Sequence, residues 1–178
     1  MKLQKPKLYN YVGSKEIKDS VDNYPAGTII KSKQDIKNWL DNTESKIDKS
    51  KFIICTFVID IEGYLRIADR HSEHVACSGG YPVLSAGEIF FVFNGNKYEI
   101  IEITNQSTGF CPEPESWLSV KQALDRIPLE HPGEFTTNFV FRRCNKCSLS
   151  NVVKENIFIC ANCHAELSQK WNCDSFDT

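Results

Sequence analysis

Apolar and polar positions in the first part of the chain alternate with the spacing of short helices. Ser14 has the position of an N-cap for a helix that ends near Asp22, and Ser32 caps a second helix with an apolar stripe along one side. The polar run at residues 41–51 then indicates a linker. Residues 1–50 are therefore predicted to form an N-terminal helical segment.

From residue 52 onwards the pattern changes to runs of β-branched and aromatic residues, which are typical of strands. Residues 52–60 and 64–68 flank a short turn and predict one hairpin. Residues 88–93 and 97–103 flank Asn94-Gly95, a dipeptide that favours the tight turn of a second hairpin. Because both faces of the second pair are apolar, we expect it to lie in the middle of a sheet and to be covered on both sides.

The following segments alternate between helix and strand. A helix is predicted to begin near Pro114, with Val120 and Leu124 on its apolar side. Residues 135–141 have phenylalanine at alternating positions, which predicts a strand. Residues 51–141 are thus predicted to form a central domain of the α+β class, with a mostly antiparallel sheet and flanking helices.

Composition and charge limit the classes of partner and compartment. Apolar residues make up 41% and charged residues 25% of the 178 residues, which is typical of a globular protein. The formal charge is −2, but residues 51–141 carry six Lys or Arg against twelve Asp or Glu. Direct nucleic-acid binding by this acidic central region is therefore not expected. The sequence shows no apolar run of about 20 residues and no secretory signal, which predicts a cytoplasmic location and no contact with a membrane.

The clearest chemical signal is the pair of CxxC motifs in CNKC and CANC, which are separated by twelve residues. Four thiolates, those of Cys144, Cys147, Cys160 and Cys163, can surround one Zn²⁺ ion tetrahedrally. A site filled by four protein ligands has a structural role, because no coordination position is left for a substrate. The sequence therefore predicts one structural zinc ion in a zinc ribbon formed by residues 142–178. Redox-active dithiols or disulfides are the alternative for such motifs.

The segment RHSEHVACSGG at residues 70–80 is rich in side chains that bind metals or move protons. It has several interpretations, and the sequence leaves them open. In the first, His71, His74 and Cys77 bind a second metal together with Cys111 from a later loop. In the second, His71 and Glu73 form the H-x-E motif of a zinc nucleobase deaminase, although no CxxC motif preceded by proline accompanies it. In the third, the segment is an ordinary polar loop.

A catalytic or ligand-binding site without a metal is the remaining interpretation of this region. Glu88 begins an otherwise apolar strand, so its carboxylate needs a partner, for which Arg70, His71 and His74 are candidates. The candidate catalytic residues are His71, Glu73, His74 and Glu88, and the candidate ligand-binding residues are Arg70, Asn105, Gln106, Ser107 and Thr108. We expect the segment 70–80, Glu88 and the loop 105–109 to form one polar concavity.

Four longer segments of the chain stand out as a set: ADRHSEHVACSGG, PVLSAGEIFF, ITNQSTGFCPEPESW and VFRRCNKC…CANC. They resemble the segments of a bacterial family of uncharacterised proteins that end in a zinc ribbon, and the resemblance covers about residues 10–172. This family implies no activity for the chain. A fainter similarity, carried by Ala86-Gly87-Glu88 with Asn105, Ser107 and Gly109, links it to C-terminal domains of bacterial polymorphic toxins. That similarity implies a setting in bacterial conflict or defence.

Two classes of function follow from these features. In the first, the chain is a cytoplasmic zinc-ribbon module that recognises another protein or another macromolecule, with the ribbon as scaffold or contact surface. In the second, it is a small hydrolase or transferase in which His71 is the base, and Glu73 or Glu88 orients this base or acts as the acid. The loop 105–109 would then hold the substrate. Since no nucleophile elbow, phosphate-binding loop or cofactor motif accompanies the second class, we prefer the first.

Overall fold

A computed structural model gives the structure of residues 5–43 and 52–174. In chain order the helices and strands of these residues are α1 (Lys15–Asp19), β1 (Thr28–Ile30), α2 (Lys33–Asn42), β2 (Phe52–Ile59), β3 (Leu65–Asp69), α3 (His74–Cys77), β4 (Ser85–Phe93), β5 (Tyr98–Ile103), α4 (Trp117–Arg126), β6 (Val140–Arg143) and β7 (Ser150–Val153). The predicted linker 41–51 begins with the last two residues of α2, and its part from residue 44 onwards lies outside the described residues. None of the helices in the described ranges is both long enough and apolar enough to cross a membrane.

The centre of the described fold is a five-stranded sheet with the order β1-β3-β2-β4-β5, in which all neighbouring strands are antiparallel. β2 and β3 form the first predicted hairpin, with Phe57 opposite Ile67. β4 and β5 form the second, and at its turn the Asn94 side-chain oxygen accepts hydrogen bonds from the backbone N–H groups of Asn96 and Lys97. The predicted α+β class with a mostly antiparallel sheet is thus confirmed.

One face of the sheet packs against α2 and α4 and forms the main core. Alternate residues of β2, from Ile53 to Ile59, point to this face because side chains alternate along a strand. They meet Ile36 and Leu40 of α2 and Leu124 of α4, and these apolar side chains are all buried. Removal of their apolar surface from water stabilises the fold by about 25 cal/mol for each Å² buried.

The opposite face of the sheet is covered only in part. Near one end, Val58 and Ala86 pack with Val75, Val83 and Phe110 in a second apolar cluster. The cover comes from α3, from the segment that follows it and from the loop after β5. These segments stop short of the other end of the sheet.

At that other end the sheet has an exposed patch. Phe52 is 44% exposed and lies opposite Val92, and Ile54 lies opposite Phe90. Ile54, Phe90 and Val92 are partly buried. We use the name open sheet face for Phe52, Ile54, Phe90 and Val92 together with Glu88, Glu99 and Glu102, which lie beside them on β4 and β5. β5 is an edge strand of the sheet, and residues 5–43 and 52–174 leave this face partly open, so the prediction of a hairpin in mid-sheet with cover on both sides is wrong.

The N-terminal segment contributes to the central sheet. β1 pairs with β3, with Thr28 opposite Ile67, although the three residues of this strand are too few to give a strand pattern in the sequence. Upstream, Tyr9 pairs with Val83, and the backbone N–H of Val12 donates to the carbonyl oxygen of Gly109 at 2.7 Å. Residues 5–43 therefore supply a strand, one helix of the main core and part of the cover on the opposite face.

The C-terminal part begins with β6, which starts later than the strand predicted at residues 135–141. β6 pairs with β7 in a separate two-stranded sheet, and the predicted ribbon start at residue 142 lies inside β6. The buried Arg142 donates hydrogen bonds to Glu113 Oε1 at 2.8 Å and to the carbonyl oxygen of Gln169 at 3.1 Å. The ribbon is thus held against the loop that precedes α4.

Candidate metal centre and polar cavity

The four cysteines of the CxxC motifs converge at one point of the ribbon. The sulfur atoms of Cys144, Cys147, Cys160 and Cys163 all lie within 4.8 Å of one another. The Sγ atoms of Cys144 and Cys163 are 3.5 Å apart, as are those of Cys147 and Cys160. Tetrahedral bonds of ~2.3 Å to a central zinc would place neighbouring sulfurs ~3.8 Å apart. This cluster therefore could hold a metal ion, and its dimensions fit the predicted zinc site.

The two turns that present the cysteines have the same local structure. In the first, the backbone N–H of Ser148 donates to the carbonyl oxygen of Cys144 at 2.9 Å, and in the second His164 donates to that of Cys160 at 3.0 Å. Ser148 and His164 both have left-handed backbones, with φ angles of 61° and 57°. His164 is therefore a turn residue with an exposed side chain, outside the cluster of four sulfurs.

Hydrogen bonds to the sulfur atoms favour the thiolate forms that metals bind. The backbone N–H of Lys146 donates to Cys144 Sγ at 3.4 Å, and the Asn151 side chain donates to Cys160 Sγ at 3.7 Å. Hydrogen bonding from the backbone of Cys163 lowers the pKa of Cys160 to about 6. Because a thiolate is the metal-binding form of cysteine, these donors prepare the cluster for a cation.

The hypothesis of a second metal in the segment 70–80 has no support in the structure. Within residues 5–43 and 52–174, the ribbon cysteines are the one group of at least three His, Cys, Asp or Glu residues close enough to bind an ion. His74 Nε2 donates to the carbonyl oxygen of Gly87 at 2.9 Å, and the buried Cys77 thiol points to that of Arg66 at 3.8 Å. The deaminase hypothesis fails for the same reason, since His71 does not join the ribbon cysteines.

The segment 70–80 instead closes part of the sheet. It crosses above β2, where the hydroxyl of the buried Thr56 donates towards the carbonyl oxygens of Arg70 at 3.4 Å and Ser72 at 3.1 Å. The segment then turns into α3, whose Val75 belongs to the second apolar cluster. Burial lowers the pKa of His74, although its hydrogen bond to Gly87 opposes this shift, so the imidazole is neutral near pH 7.

A cavity of about 440 Å³ separates this segment from α1 and the turn after it. Asp69, His71 and Glu73 line one side, and Tyr24 lines the other. The backbone N–H of His71 donates to Asp69 Oδ1 at 2.9 Å, which fixes the loop at the cavity mouth. Two carboxylates and an exposed imidazole thus share one cavity, as the catalytic hypothesis requires.

Glu88 lies outside this cavity, on the open sheet face directly opposite Thr56. Burial raises the pKa of the Glu88 carboxyl, the positive charge of Arg70 opposes this shift, and the charge of Glu102 adds to it. Of the cationic partners that the sequence suggested for Glu88, Arg70 is thus the one with an electrostatic effect. His71 lines the cavity of about 440 Å³, and Glu88 is not among the residues that line it.

The loop 105–109 serves mainly to hold the central domain to β6. The buried Asn105 side chain accepts a hydrogen bond from the backbone N–H of Phe139 at 2.7 Å and donates to the carbonyl oxygens of Phe139 and Pro112, both at 2.8 Å. Gln106 and Thr108 are exposed. The Ser107 hydroxyl is buried, and it has no hydrogen-bond partner within the described part of the chain. None of the residues 105–109 is among those that line the cavity of about 440 Å³, so the single concavity expected from the sequence stays a prediction.

Sequence reasoning missed two features of this chain. The open sheet face was taken for buried strand surface, because an apolar strand pattern does not show which of its two faces is covered. From the sequence, Cys111 was considered only as a fourth ligand of a second metal and Cys173 had no role, yet both are fully buried in a third apolar cluster with Phe141. Because these two cysteines lie far apart in the sequence, no local pattern predicts that they are close in the fold.

Comparison with known proteins assigns neither a family nor a function to this chain. No protein-family model matches the chain, no curated protein matches it, and no solved structure matches it. The argument for function therefore depends on the surfaces and sites described above.

Proposed function

We propose that this chain is a zinc-ribbon protein of the cytoplasm whose central sheet recognises a protein partner through a basic and apolar segment of that partner. The observation that carries this proposal is the open sheet face. Exposed apolar patches framed by polar residues are typical of protein interaction sites.

The geometry of the open sheet face suits a partner that lies across β2 and β4. Phe52 with Val92, and Ile54 with Phe90, are directly opposed pairs, so their side chains lie next to one another on the same side of the sheet. They form a continuous apolar strip between two strands. Burial of such a strip by a partner supplies the main favourable term in association.

The charges beside the strip determine the chemistry of the partner. Glu88, Glu99 and Glu102 lie on the same side of the sheet as the apolar strip. Arg70 acts on Glu88 and Lys97 lies 3.5 Å from Glu99, so these five side chains together carry a net charge of −1. A second copy of the same face would bring like charges together, which disfavours self-association through it. A partner segment with Lys or Arg beside apolar residues is complementary to this pattern.

The ribbon has a supporting role in this proposal. We propose that Zn²⁺ occupies the cluster of four cysteines, because the sulfur spacing and the donors to sulfur suit this ion. Such a site leaves no coordination position for a substrate. A compartment that keeps thiols reduced suits the free cysteines of the chain, which is the reason for proposing a cytoplasmic location.

The test is a selection from a random peptide library displayed on phage, with the purified zinc-loaded protein as bait. We expect enriched peptides that combine Lys or Arg with apolar residues, and a loss of affinity for them of at least about tenfold in Phe52→Lys. Leu149→Lys is the matched control, because Leu149 on the ribbon is 43% exposed and Phe52 is 44% exposed.

Two results would count against the proposal. One is equal binding of the enriched peptides to Phe52→Lys and to the unchanged protein. The other is a dimer in sedimentation experiments that Phe52→Lys abolishes, since this result would assign the face to a second copy of the chain.

The second candidate function is hydrolysis at the cavity of about 440 Å³. The observation that favours it is the shared presence of His71, Glu73 and Asp69 on the cavity wall. In such a site His71 would act as the base and a carboxylate would orient it or donate a proton. Hydrolysis of p-nitrophenyl esters or phosphates that disappears in His71→Ala, with the fold and metal content unchanged, is the expected result for this function.

A further inference from the structure

Two thiols that do not belong to the metal cluster lie together where the chain segment after the ribbon meets the central domain. Cys111 and Cys173 have no exposed surface, and they share an apolar cluster with Phe141. Cys111 follows the loop after β5, whereas Cys173 follows the second CxxC motif by ten positions, from 163 to 173. The fold therefore brings together two cysteines that are remote in sequence.

Hydrogen bonds fix both cysteines in position. On one side, the backbone N–H of Cys111 donates to the carbonyl oxygen of Ser107 at 2.7 Å. The Trp171 indole N–H donates to the carbonyl oxygen of Cys111 at 2.8 Å. Next to Cys173, the Asn172 side chain bonds both the N–H and the carbonyl oxygen of Arg143, at 2.9 Å and 2.8 Å. The Cys111 thiol also donates to the carbonyl oxygen of Thr108 at 3.3 Å. Both cysteines thus belong to hydrogen-bonded segments that meet in one apolar cluster.

The two thiols are chemically unequal. The Cys111 thiol is within hydrogen-bonding reach of the Cys173 sulfur. This hydrogen bond, together with the positive charges of Arg142 and Arg143, lowers the pKa of Cys173. The same hydrogen bond and burial raise the pKa of Cys111. Cys173 is therefore the better nucleophile of the pair, and Cys111 is placed to react with it afterwards.

We propose that Cys111 and Cys173 form a disulfide bond when the protein meets hydrogen peroxide, and that this bond locks the segment after the ribbon onto the loop that precedes α4. This proposal does not depend on the proposed recognition of a partner, and only its zinc readout rests on the zinc ion proposed for the ribbon. In the first step the Cys173 thiolate attacks one oxygen of the peroxide, the O–O bond breaks, and a sulfenic acid and one water form. In the second step the Cys111 sulfur loses its proton and attacks the Cys173 sulfur, and a second water leaves. Two thiols are oxidised and one peroxide is reduced to two waters.

The bond would join the segment after the ribbon to the loop that precedes α4. A disulfide that closes a long loop restricts the unfolded chain, so the oxidised protein should be more stable than the reduced protein. We expect a melting temperature higher by about 5–10 °C after oxidation. Because the ribbon cysteines remain thiolates on the metal, the zinc content should not change.

The experiment treats the full-length zinc-loaded protein with one equivalent of hydrogen peroxide, blocks free thiols with N-ethylmaleimide and maps the peptides by mass spectrometry. The expected product is a peptide pair linked through Cys111 and Cys173, with zinc retained. Cys173→Ser should show neither the linked peptides nor the rise in melting temperature. Cys77→Ser, which changes another buried thiol, should show both.

Peptide mapping of the unchanged protein is decisive even if a variant folds poorly. Alkylation of both Cys111 and Cys173 after peroxide treatment and unfolding would overturn the proposal. Links that involve only the ribbon cysteines, accompanied by loss of zinc, would overturn it as well.

Discussion

The Glu88 carboxyl is partly buried and lies near the carboxylate of Glu102. Its burial and this neighbouring negative charge both raise its pKa. Arg70 compensates this effect only in part. At neutral pH the ionised side chain therefore carries a cost in the free energy of folding. Such a residue fits an interaction surface, where a charged group from a partner can remove this cost on binding.

Glu88→Gln should stabilise the isolated protein near pH 7. The folded state raises the pKa of Glu88 above its ordinary value of 4.5, so it favours the protonated form, and a neutral side chain removes the cost of ionisation. We expect a gain of up to about 1 kcal/mol in the free energy of unfolding, because the site is partly screened by solvent. The gain should shrink as the pH is lowered towards 4.5, where the unfolded state also becomes protonated.

Urea unfolding at several pH values measures this effect, and Glu134→Gln, which changes an exposed carboxylate, is the control. A loss of stability in Glu88→Gln at pH 7 would show that the carboxylate makes a net favourable interaction with Arg70.

His74 provides a second prediction at this scale, with the opposite dependence on pH. Burial lowers the pKa of His74 below its ordinary value of 6.5, so the unfolded chain takes up the proton first as the pH falls. Stability should therefore decline as the pH falls below about 6.5, and the decline should end where the folded-state pKa is reached. His74→Gln keeps a donor for the carbonyl oxygen of Gly87 and should reduce this decline.

Urea unfolding at pH 7.0 and at pH 5.5 is the measurement for His74, and His71→Gln is the exposed control. Equal pH dependence in His74→Gln and in the unchanged protein would contradict the assignment.

At the scale of elements, the sequence predicted what local chemistry determines. Asn94-Gly95 makes its own turn, and the CxxC motifs make theirs, so both could be located without knowledge of the fold. Asn105 was different, since its amide bonds the backbone of Phe139, which no local pattern connects to it. The sequence could not predict what covers the sheet either, because the cover comes partly from Phe110 and other remote residues.

The ribbon offers the sharpest prediction for an element. Cys144→Ser should abolish binding of the zinc ion that we propose and should unfold the ribbon, because metal binding supplies the folding energy of such small units. Zinc content by mass spectrometry and the loss of the β6–β7 structure in circular dichroism check this. His164→Ala is the control, since His164 lies in a turn outside the cluster. Purified native protein without zinc would contradict the site itself.

For the whole molecule, the contact between ribbon and central domain decides whether the chain unfolds as one unit. Arg142 is central to this contact, because its side chain is 7% exposed and pairs with Glu113, which is 22% exposed. The guanidinium also donates to the carbonyl oxygen of Gln169, beyond the second CxxC motif. One buried cation therefore joins the loop before α4, the ribbon strand and the segment after the ribbon.

Arg142→Met should weaken this junction without removing a metal ligand. It leaves the Glu113 carboxylate without its partner in a poorly solvated position, so we expect a loss of about 2–4 kcal/mol in the free energy of unfolding. Lys121→Met removes a cation from an exposed pair with Asp125, 47% and 52% exposed, and should cost less than about 0.5 kcal/mol.

In the unchanged protein, release of zinc to a chromogenic chelator on heating should coincide with loss of the circular dichroism signal. In Arg142→Met the two events should separate, because the ribbon can then open or persist independently of the sheet. Coincident transitions with unchanged stability in this variant would show that the apolar contacts around Phe141 hold the ribbon and the domain together without Arg142.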